Sequence, residues 1–508
     1  MEGKQSTYPH LRTAIRQGLL LAVVAGWSGP ARGEAELLEL EEAIQTALEN
    51  NLTYRAALID PEIARYAVTV EEAAFDTELF ASGRVSQTEQ PTPVSETTAT
   101  SSDNRNWQAG LRKQLAYGTT ISAQTNLDRS DNNARTNLNE FGNLSQTADL
   151  ALSVRQPLLG GFGRKANLAG VESARAGLTA SRESLRDKLL EILSRTELAY
   201  WSIARWQEQL KLNQSNLEVA DTLLKEARER ERVGLATGIE VLQAEASKAR
   251  RMEEIIETKR QLGDALDELL TLMGVLPGFD GAGTEPAYAV APLPGTEELD
   301  LDFGTAWEQA LANDPMLATQ DAVIAQREWD RVAARNSLKP DLDLVFTGAY
   351  SGIDNRYADE AFDKAFEGDG HAWSVGFEFS MPWNRRADRS RLLTADKRFD
   401  QETLRYAELK QSLFRDLRAT WRNLEAVSQS LEAARLTVSL QEATFEREKS
   451  KYEEGLSSFR DVLQSQSELD QARVRLLLSK FNKLAAEIDM ARLTGTLLKR
   501  HNLNELSW

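Results

Sequence analysis

Residues able to do covalent or metal chemistry are sparse in this 508-residue chain. It has no cysteine, which removes thiol nucleophiles, thiolate metal sites, disulfides and a lipidated N-terminal cysteine together. The three histidines, His10, His371 and His501, lie far apart, and no HExxH or similar ligand spacing occurs. Gly160-Gly161-Phe162-Gly163 lacks the spacing of a phosphate loop and fits a strand-to-helix joint instead. Carboxylate pairs are frequent, but they fall on charged helix faces where solvation is the default. A net charge of −18, from 60 Lys+Arg against 78 Asp+Glu, argues against a general nucleic-acid binder, which needs a basic footprint. These residue types predict no enzyme, no metal and no cofactor.

Charged residues make up 27 % and aromatics 7 %, a mix suited to long solvated helices rather than a compact catalyst. At about 150 residues per domain the length allows several units with a sizeable core. Near the start, Lys4, Arg12 and Arg16 precede an apolar stretch from Gly18 to Trp27, followed by small residues at Ala31 and Gly33. About ten apolar residues are too few to span a bilayer as a helix. The pattern reads as a secretory signal over residues 1–33, cleaved after Gly33. No later segment is apolar enough for a membrane helix. The expected mature chain is periplasmic, secreted or a β-barrel protein.

The chain is written twice. Leu40–Asn50 and Phe303–Asn313 open alike: Ala43, Ala47, Leu48 and Asn50 return as Ala306, Ala310, Leu311 and Asn313, 263 positions on. Gly234–Gln243 and Gly455–Gln464 form a second pair at an offset of 221, so the first half carries 42 extra residues (263 − 221). The expected organisation is a first repeat over 34–273, with strands within 78–157 and a long hairpin over 164–273. A Pro- and Gly-rich linker follows over 274–298. The second repeat covers 299–498, with strands at 341–350 and 373–381 and a hairpin over 385–498. Residues 499–508 form a tail.

The long segments carry a coiled-coil period. Leu185, Leu189, Ile192, Thr196, Ala199, Ile203, Trp206, Leu210, Asn213, Leu217, Ala220, Leu224 and Ala227 alternate steps of four and three. The second half repeats the pattern from Leu413 to Phe445. An average of 3.5 residues keeps one narrow stripe facing a partner helix and implies supercoiling. Runs of about 70 residues correspond to about 100 Å of helix. Trp201, Trp206, Leu198, Trp421 and Phe414 widen the stripe, which suits contact on more than one side.

Strands show the other period. Trp373, Val375, Phe377 and Phe379 alternate with Ser374, Gly376, Glu378 and Ser380; Leu342–Tyr350 and Ala148–Arg155 behave alike. Leu79–Val85, Trp107–Leu115 and Thr119–Leu127 are weaker candidates. Nine to eleven residues match a tilted transmembrane strand, and Trp107, Tyr117, Tyr350, Trp373 and Trp383 sit where an aromatic girdle belongs. A soluble antiparallel sheet covered by helices fits the same pattern. If the sheet meets lipid it must close, because hydrocarbon offers no partner to an open edge. Four clear strands, or six on a generous count, fall short of the about eight that a single-chain barrel needs. Several copies can close one together.

At these motifs the chain resembles the TolC-like outer-membrane efflux proteins, from about Glu34 to Leu498. The likeness rests on the duplicated Ala-x-x-x-Ala-Leu-x-x-Asn opening and on the joints Arg155–Arg164 and Ser380–Arg385. It rests equally on the turns Val233–Leu242 and Tyr452–Leu463. The resemblance implies a mainly α fold with a β-barrel portion: internally duplicated coiled-coil hairpins form a periplasmic α-barrel, and strands join a trimeric outer-membrane β-barrel. It implies a homotrimer in outer-membrane lipid, a periplasmic adaptor protein, and an inner-membrane pump of RND, ABC or MFS type. Such a duct passively exports drugs, metal ions, small toxic molecules or proteins, in efflux or type I secretion. A soluble exported coiled-coil scaffold is the alternative.

The resemblance also implies site residues. Adaptor-contacting tips fall on Val233, Gly234 and Leu235 and on Gly455 and Leu456; glycine permits the tight turn and leucine offers an apolar knob. A gating tyrosine matches Tyr452, and the first acid of an entrance ring matches Asp461, where a helix start equally accounts for an aspartate. The ring's second acid falls on Gln464, a departure that weakens cation preference. The family's tie between an acid and an arginine keeps the acid as Glu240 but has Ser457 at the arginine position; Arg460 is the nearby substitute. Relative to the family's two strands per half, Trp107–Leu127 is an extra hairpin, expected as an appendage because the second half lacks its match. Thr92–Ser102 is expected to be a mobile loop.

Overall fold

The computed structural model describes residues 36–89, 101–132, 144–275, 288–295 and 302–503; the predicted signal lies outside the described residues. The chain opens with β1 (Glu36–Leu38), α1 (Leu40–Asn50), α2 (Leu52–Ala57) and α3 (Asp60–Glu72). Four long strands follow: β2 (Thr77–Glu89), β3 (Ser101–Gln114), β4 (Thr120–Asn132) and β5 (Leu144–Pro157). A single turn, α4 (Arg164–Asn167), leads into the 64-residue α5 (Ala169–Arg232), which returns as the 35-residue α6 (Gly238–Leu272). After β6 (Tyr288–Val290) come α7 (Phe303–Asn313), α8 (Pro315–Asn336), β7 (Asp341–Asp354), α9 (Ala358–Glu367) and β8 (Gly370–Ser380). The 68-residue α10 (Arg386–Glu453), the 35-residue α11 (Phe459–Leu493) and α12 (Leu497–Arg500) end the order.

The heptad stripe becomes the helical seam. Ten of the thirteen α5 positions read from the period are buried, while Trp206, Leu210 and Leu217 are half-buried. Where apolar residues give way, Asn213 Nδ2 donates to Thr258 Oγ1 across the α5–α6 seam at 2.9 Å, so the buried amide keeps a partner. Of the bulky residues that widen the stripe, Trp201 is buried and Leu198, Trp206 and Trp421 are half-buried within this chain, while Phe414 stays exposed. Tyr200 and Trp201 sit edge to face at 5.0 Å, and Phe303 and Trp307 of α7 pack against Phe414 and Trp421 of α10. Aromatic width is thus used first to hold the short helices.

At mid-length the two halves are tied. β1 pairs in parallel with β6, so the stretch expected as a linker contains a strand. Tyr200 is fully buried; its hydroxyl donates to Leu38 O at 2.9 Å and accepts from Ala291 N at 3.1 Å, gripping both sides of the pair. The two openings are held alike. Asn51 donates its amide to Leu272 O at 2.8 Å, and Asn313 donates to Thr494 O at 3.0 Å.

The remaining strands form one antiparallel sheet in the order β2-β3-β4-β5-β7-β8. The extra hairpin occupies its second and third positions and is no appendage. Its register runs without a break into both neighbours, Leu79 opposite Leu111 and Ala123 opposite Leu152. Ser101 and Ser102, expected in a loop, begin β3; residues 92–100 lie outside the described residues. Because antiparallel partners share a face, the whole sheet is two-sided. One face carries Leu79, Leu111, Leu152, Phe346, Trp373 and Phe377; the other carries Arg84, Gln108, Gln124, Asp149, Thr347 and Glu378. The apolar face is open: Leu79, Trp373 and Phe377 are 79 %, 73 % and 69 % exposed. Near the end remote from the long helices, α9 covers part of it, burying Ala361 and Ala365 against Ala148.

Candidate functional site: the paired helix tips

Both long hairpins turn through the same backbone geometry. At the end of α5, Gly234 N donates to Glu231 O and Leu235 N to Arg230 O, at 2.9 and 2.7 Å. At the end of α10, Gly455 N donates to Tyr452 O and Leu456 N to Lys451 O, at 3.0 and 2.7 Å. This is the Schellman pattern, which needs a left-handed residue at the first position past the cap. Gly234 and Gly455 supply it at φ +80° and +77°. The following leucines point outward, Leu235 at 71 % and Leu456 at 74 % exposure, and Val233 is also exposed. Helix termination and an exposed apolar knob therefore coexist at each tip.

The second turn restarts through a capping box. Asp461 N donates to Ser458 Oγ at 3.3 Å, while Ser458 N donates to Asp461 Oδ2 at 3.2 Å. Ser458 Oγ also donates to that carboxylate at 2.6 Å, and these bonds hold Asp461 below the usual carboxylate range. Asp461 remains exposed, and so does Gln464 one turn on, whose amide donates to Glu468 Oε1 at 2.8 Å. Glu468 thus lies beside Gln464 on the helix that begins at Asp461's turn. Sequence motifs did not single out Glu468, although its i+7 spacing from Asp461 on one helix face could have done so.

Tyr452 is buried between the hairpins among Leu223, Ala227, Ala244, Phe459 and Val462. Its hydroxyl donates to Glu240 Oε2 at 3.3 Å, and Arg230 lies 4.4 Å from the ring centroid as a cation–π partner. Burial pushes the Tyr452 hydroxyl upward, so it stays a donor at neutral pH. Within the single chain Glu240 meets Tyr452, and no ion pair of Arg460 occurs among the described residues. Ser457 instead donates to Glu448 Oε2 at 2.9 Å within its own hairpin. Higher up, Arg251 of α6 and Asp470 of α11 form a buried pair at 2.5 Å, with side chains 11 % and 6 % exposed. No motif flagged that pair, because each residue reads alone as an ordinary charge on a helix face.

A two-faced sheet above two such hairpins agrees with what known proteins show. The family model for outer membrane efflux proteins matches residues 119–275 and 306–496, more than half of the sequence. The chain belongs to the outer membrane efflux protein family. That membership places it in the outer membrane. Outer membrane efflux protein BepC of Brucella suis biovar 1 is 27 % identical over 237 residues, covering 46 % of this chain and 47 % of that protein. Pyoverdine export outer membrane protein OpmQ of Pseudomonas aeruginosa is 28 % identical over 194 residues, 38 % of each chain. The matches thus span about half or less of these curated relatives. The outer-membrane channel OprN shares the fold, with a TM-score of 0.67 at 17 % identity, covering 90 % of this efflux-family chain and 89 % of OprN.

Proposed function

We propose that this chain is the exit duct of a tripartite efflux or type I secretion system. It works as a homotrimer that passively conducts cargo delivered by an inner-membrane pump through a periplasmic adaptor. The observation that carries this reading is the open apolar face of a sheet whose other face is polar. In water such a face is a liability; in lipid it is the required outer wall, with the polar face turned to a wet lumen. A soluble scaffold has no use for it. The two halves are read as a duplicated unit, residues 34–273 and 299–498, joined through 274–298 and preceded by a cleaved signal over 1–33. Their hairpins continue the barrel wall as an α-helical tunnel.

Within this reading the tips carry the recognition. Leu235 and Leu456, with Val233 and the turn glycines, offer two apolar knobs to the adaptor, and hot-spot contacts are typically a few such side chains. Asp461 and Glu468, repeated three times around a narrow mouth, concentrate negative potential and favour cations. Tyr452 and Glu240 hold the two hairpins together at the entrance, while Gln464 keeps one ring position neutral and Arg460 stays available to it.

Fractionation tests the reading as a whole. The folded protein is expected as a heat-sensitive trimer in the outer-membrane fraction; a monomer in the periplasmic supernatant sinks it. The double variant Leu235→Asp, Leu456→Asp is expected to abolish export with the trimer intact. Asp461→Ala is expected to lower cation preference in single-channel reversal potentials.

A further inference from the structure

A duct with two strands per half does not require the β3–β4 pair. Resting on that duct reading, we propose that the pair widens the barrel: three copies close eighteen strands (three times six) instead of the twelve that two strands per half would give. Barrel diameter grows roughly linearly with strand number, so the outer mouth is about half as wide again and admits hydrated cargo of correspondingly larger cross-section. The occupant of each open sheet edge is a second copy of this chain, β8 of one against β2 of the next.

Both faces of the sheet run through the pair. Trp107, Ala109 and Leu111 on β3 and Ile121 and Ala123 on β4 extend the apolar face from β2 to β5. The polar face is laced across it: Gln108 Nε2 donates to Gln124 Oε1 at 3.0 Å, Ser130 Oγ to Asn104 Oδ1 at 2.8 Å, and Asn106 to Asp128. All six strands line one hollow of about 1050 Å³, Gly110 and Gln124 among its residues, so the pair shares the curvature of the sheet. A water-exposed appendage would need neither the apolar face nor the curvature.

The base of the pair is fixed at the height of the other strand ends. Tyr117 O accepts from Gly163 N at 3.2 Å, and Asn167 Nδ2 donates to Gly161 O at 2.6 Å. A Cβ on Gly118 would collide with Gly161 O, so glycine at φ +92° allows the turn to seat on the strand-to-helix joint.

The open edges suit each other. Six antiparallel strands leave β2, of 13 residues, and β8, of 11, running in opposite senses, as antiparallel pairing between copies requires. The bonded row that begins at Thr77 passes Lys113, Ile121, Val154 and Phe346 and ends at Val375, five residues short of Ser380 (380 − 375). That stagger is about 17 Å along the strands against about 24 Å across the five spacings between them, a tilt of about 35°. Closed barrels tilt by about 35–45°, so copies joined end to end at equal height meet the closure condition.

Because the chain has no cysteine, single introduced cysteines report cleanly on the full-length protein in intact cells. A membrane-impermeant maleimide added outside is expected to label Asn106→Cys and Gln124→Cys and to spare Ala109→Cys and Ala123→Cys. Labelling of all four overturns the inference. In planar bilayers, the largest polyethylene glycol admitted from the outer side is expected to fall to about two-thirds in radius on deletion of residues 101–132, which lets β2 meet β5 in the same antiparallel sense. An unchanged limit in an intact trimer overturns the wider mouth and leaves the duct standing; absence of a trimeric channel in the wild-type protein overturns the duct itself. Where the deletion fails to assemble, the labelling pattern decides.

Discussion

The two long hairpins share one geometry and live in different surroundings. Helices α5 and α10 have 64 and 68 residues, and each returns through 35, yet α5 buries 21 residues and α10 only six. The cause is the neighbours. Helix α5 is packed by α3, α6, α8 and α11, whereas α10 has mainly α8 and α11. Leu417, Leu424 and Leu431 are buried in the α10 seam, but Leu404, Leu436 and Leu440 face outward. Ile59, Ile63, Tyr66 and Val70, spaced four, three and four along α3 and its approach, are exposed as well. Helix α8 bridges α5 and α10, while α3 touches α5 and leaves its outer stripe bare. The same coiled-coil pattern is complete in one half and waits for company in the other.

The sharpest way to break this contrast is the double variant Ile63→Asp, Tyr66→Asp. Two charges on the bare stripe are expected to eliminate the trimer on native gels while circular dichroism of the subunit stays unchanged; a surviving trimer would show that α3 is not the missing neighbour. A smaller effect separates the helices themselves. Leu189→Ala, in the enclosed seam of α5, is expected to cost about 2–5 kcal/mol in denaturant unfolding. Leu436→Ala is expected to stay within about 0.5 kcal/mol in the dissociated subunit and to matter only in the assembly.

Acidity sharpens the comparison at the seam between the hairpins. Burial raises Asp470 to about 6 from an ordinary value near 3.8, outweighing the pull of Arg251. The folded protein therefore binds that proton more tightly than the unfolded chain, and stability from this group falls as pH rises from about 4 through 6. Melting temperatures of the wild type relative to Asp470→Asn are expected to decline over that window; a flat difference rejects the shift. The smallest effect belongs to Tyr452→Phe. It removes one 3.3 Å bond to Glu240 and keeps the ring beneath Arg230, so a loss of about 1 kcal/mol and a modest rise in open probability are expected in single-channel traces.

Legibility in the sequence follows the range of the interactions. The seam from Leu185 to Ala227 and the turns at Gly234 and Gly455 were readable because their signals are local and periodic. The strands after Leu144 were clear, but β3 was faint, since Ser101–Asn106 is polar on both faces and shows alternation only from Trp107 onward. The three-residue β6 is too short to announce itself inside a Pro- and Gly-rich stretch. Helix α9, tucked against the sheet, had no place in the expectation. At the tips, Gly234, Leu235, Gly455, Leu456, Tyr452 and Asp461 came from motif position. The partner of Glu240 did not, because a choice between Tyr452 and Arg460 is settled by side-chain reach across some 200 residues of chain (452 − 240).

Each tip leucine hangs from a carbonyl of its own helix, Leu235 from Arg230 and Leu456 from Lys451. Such a knuckle has no slack. Whatever grips the leucine pulls directly on the long helix to which it is bonded, a lever about 100 Å long. Pulling at the knob and rotating the shaft are then one mechanical act.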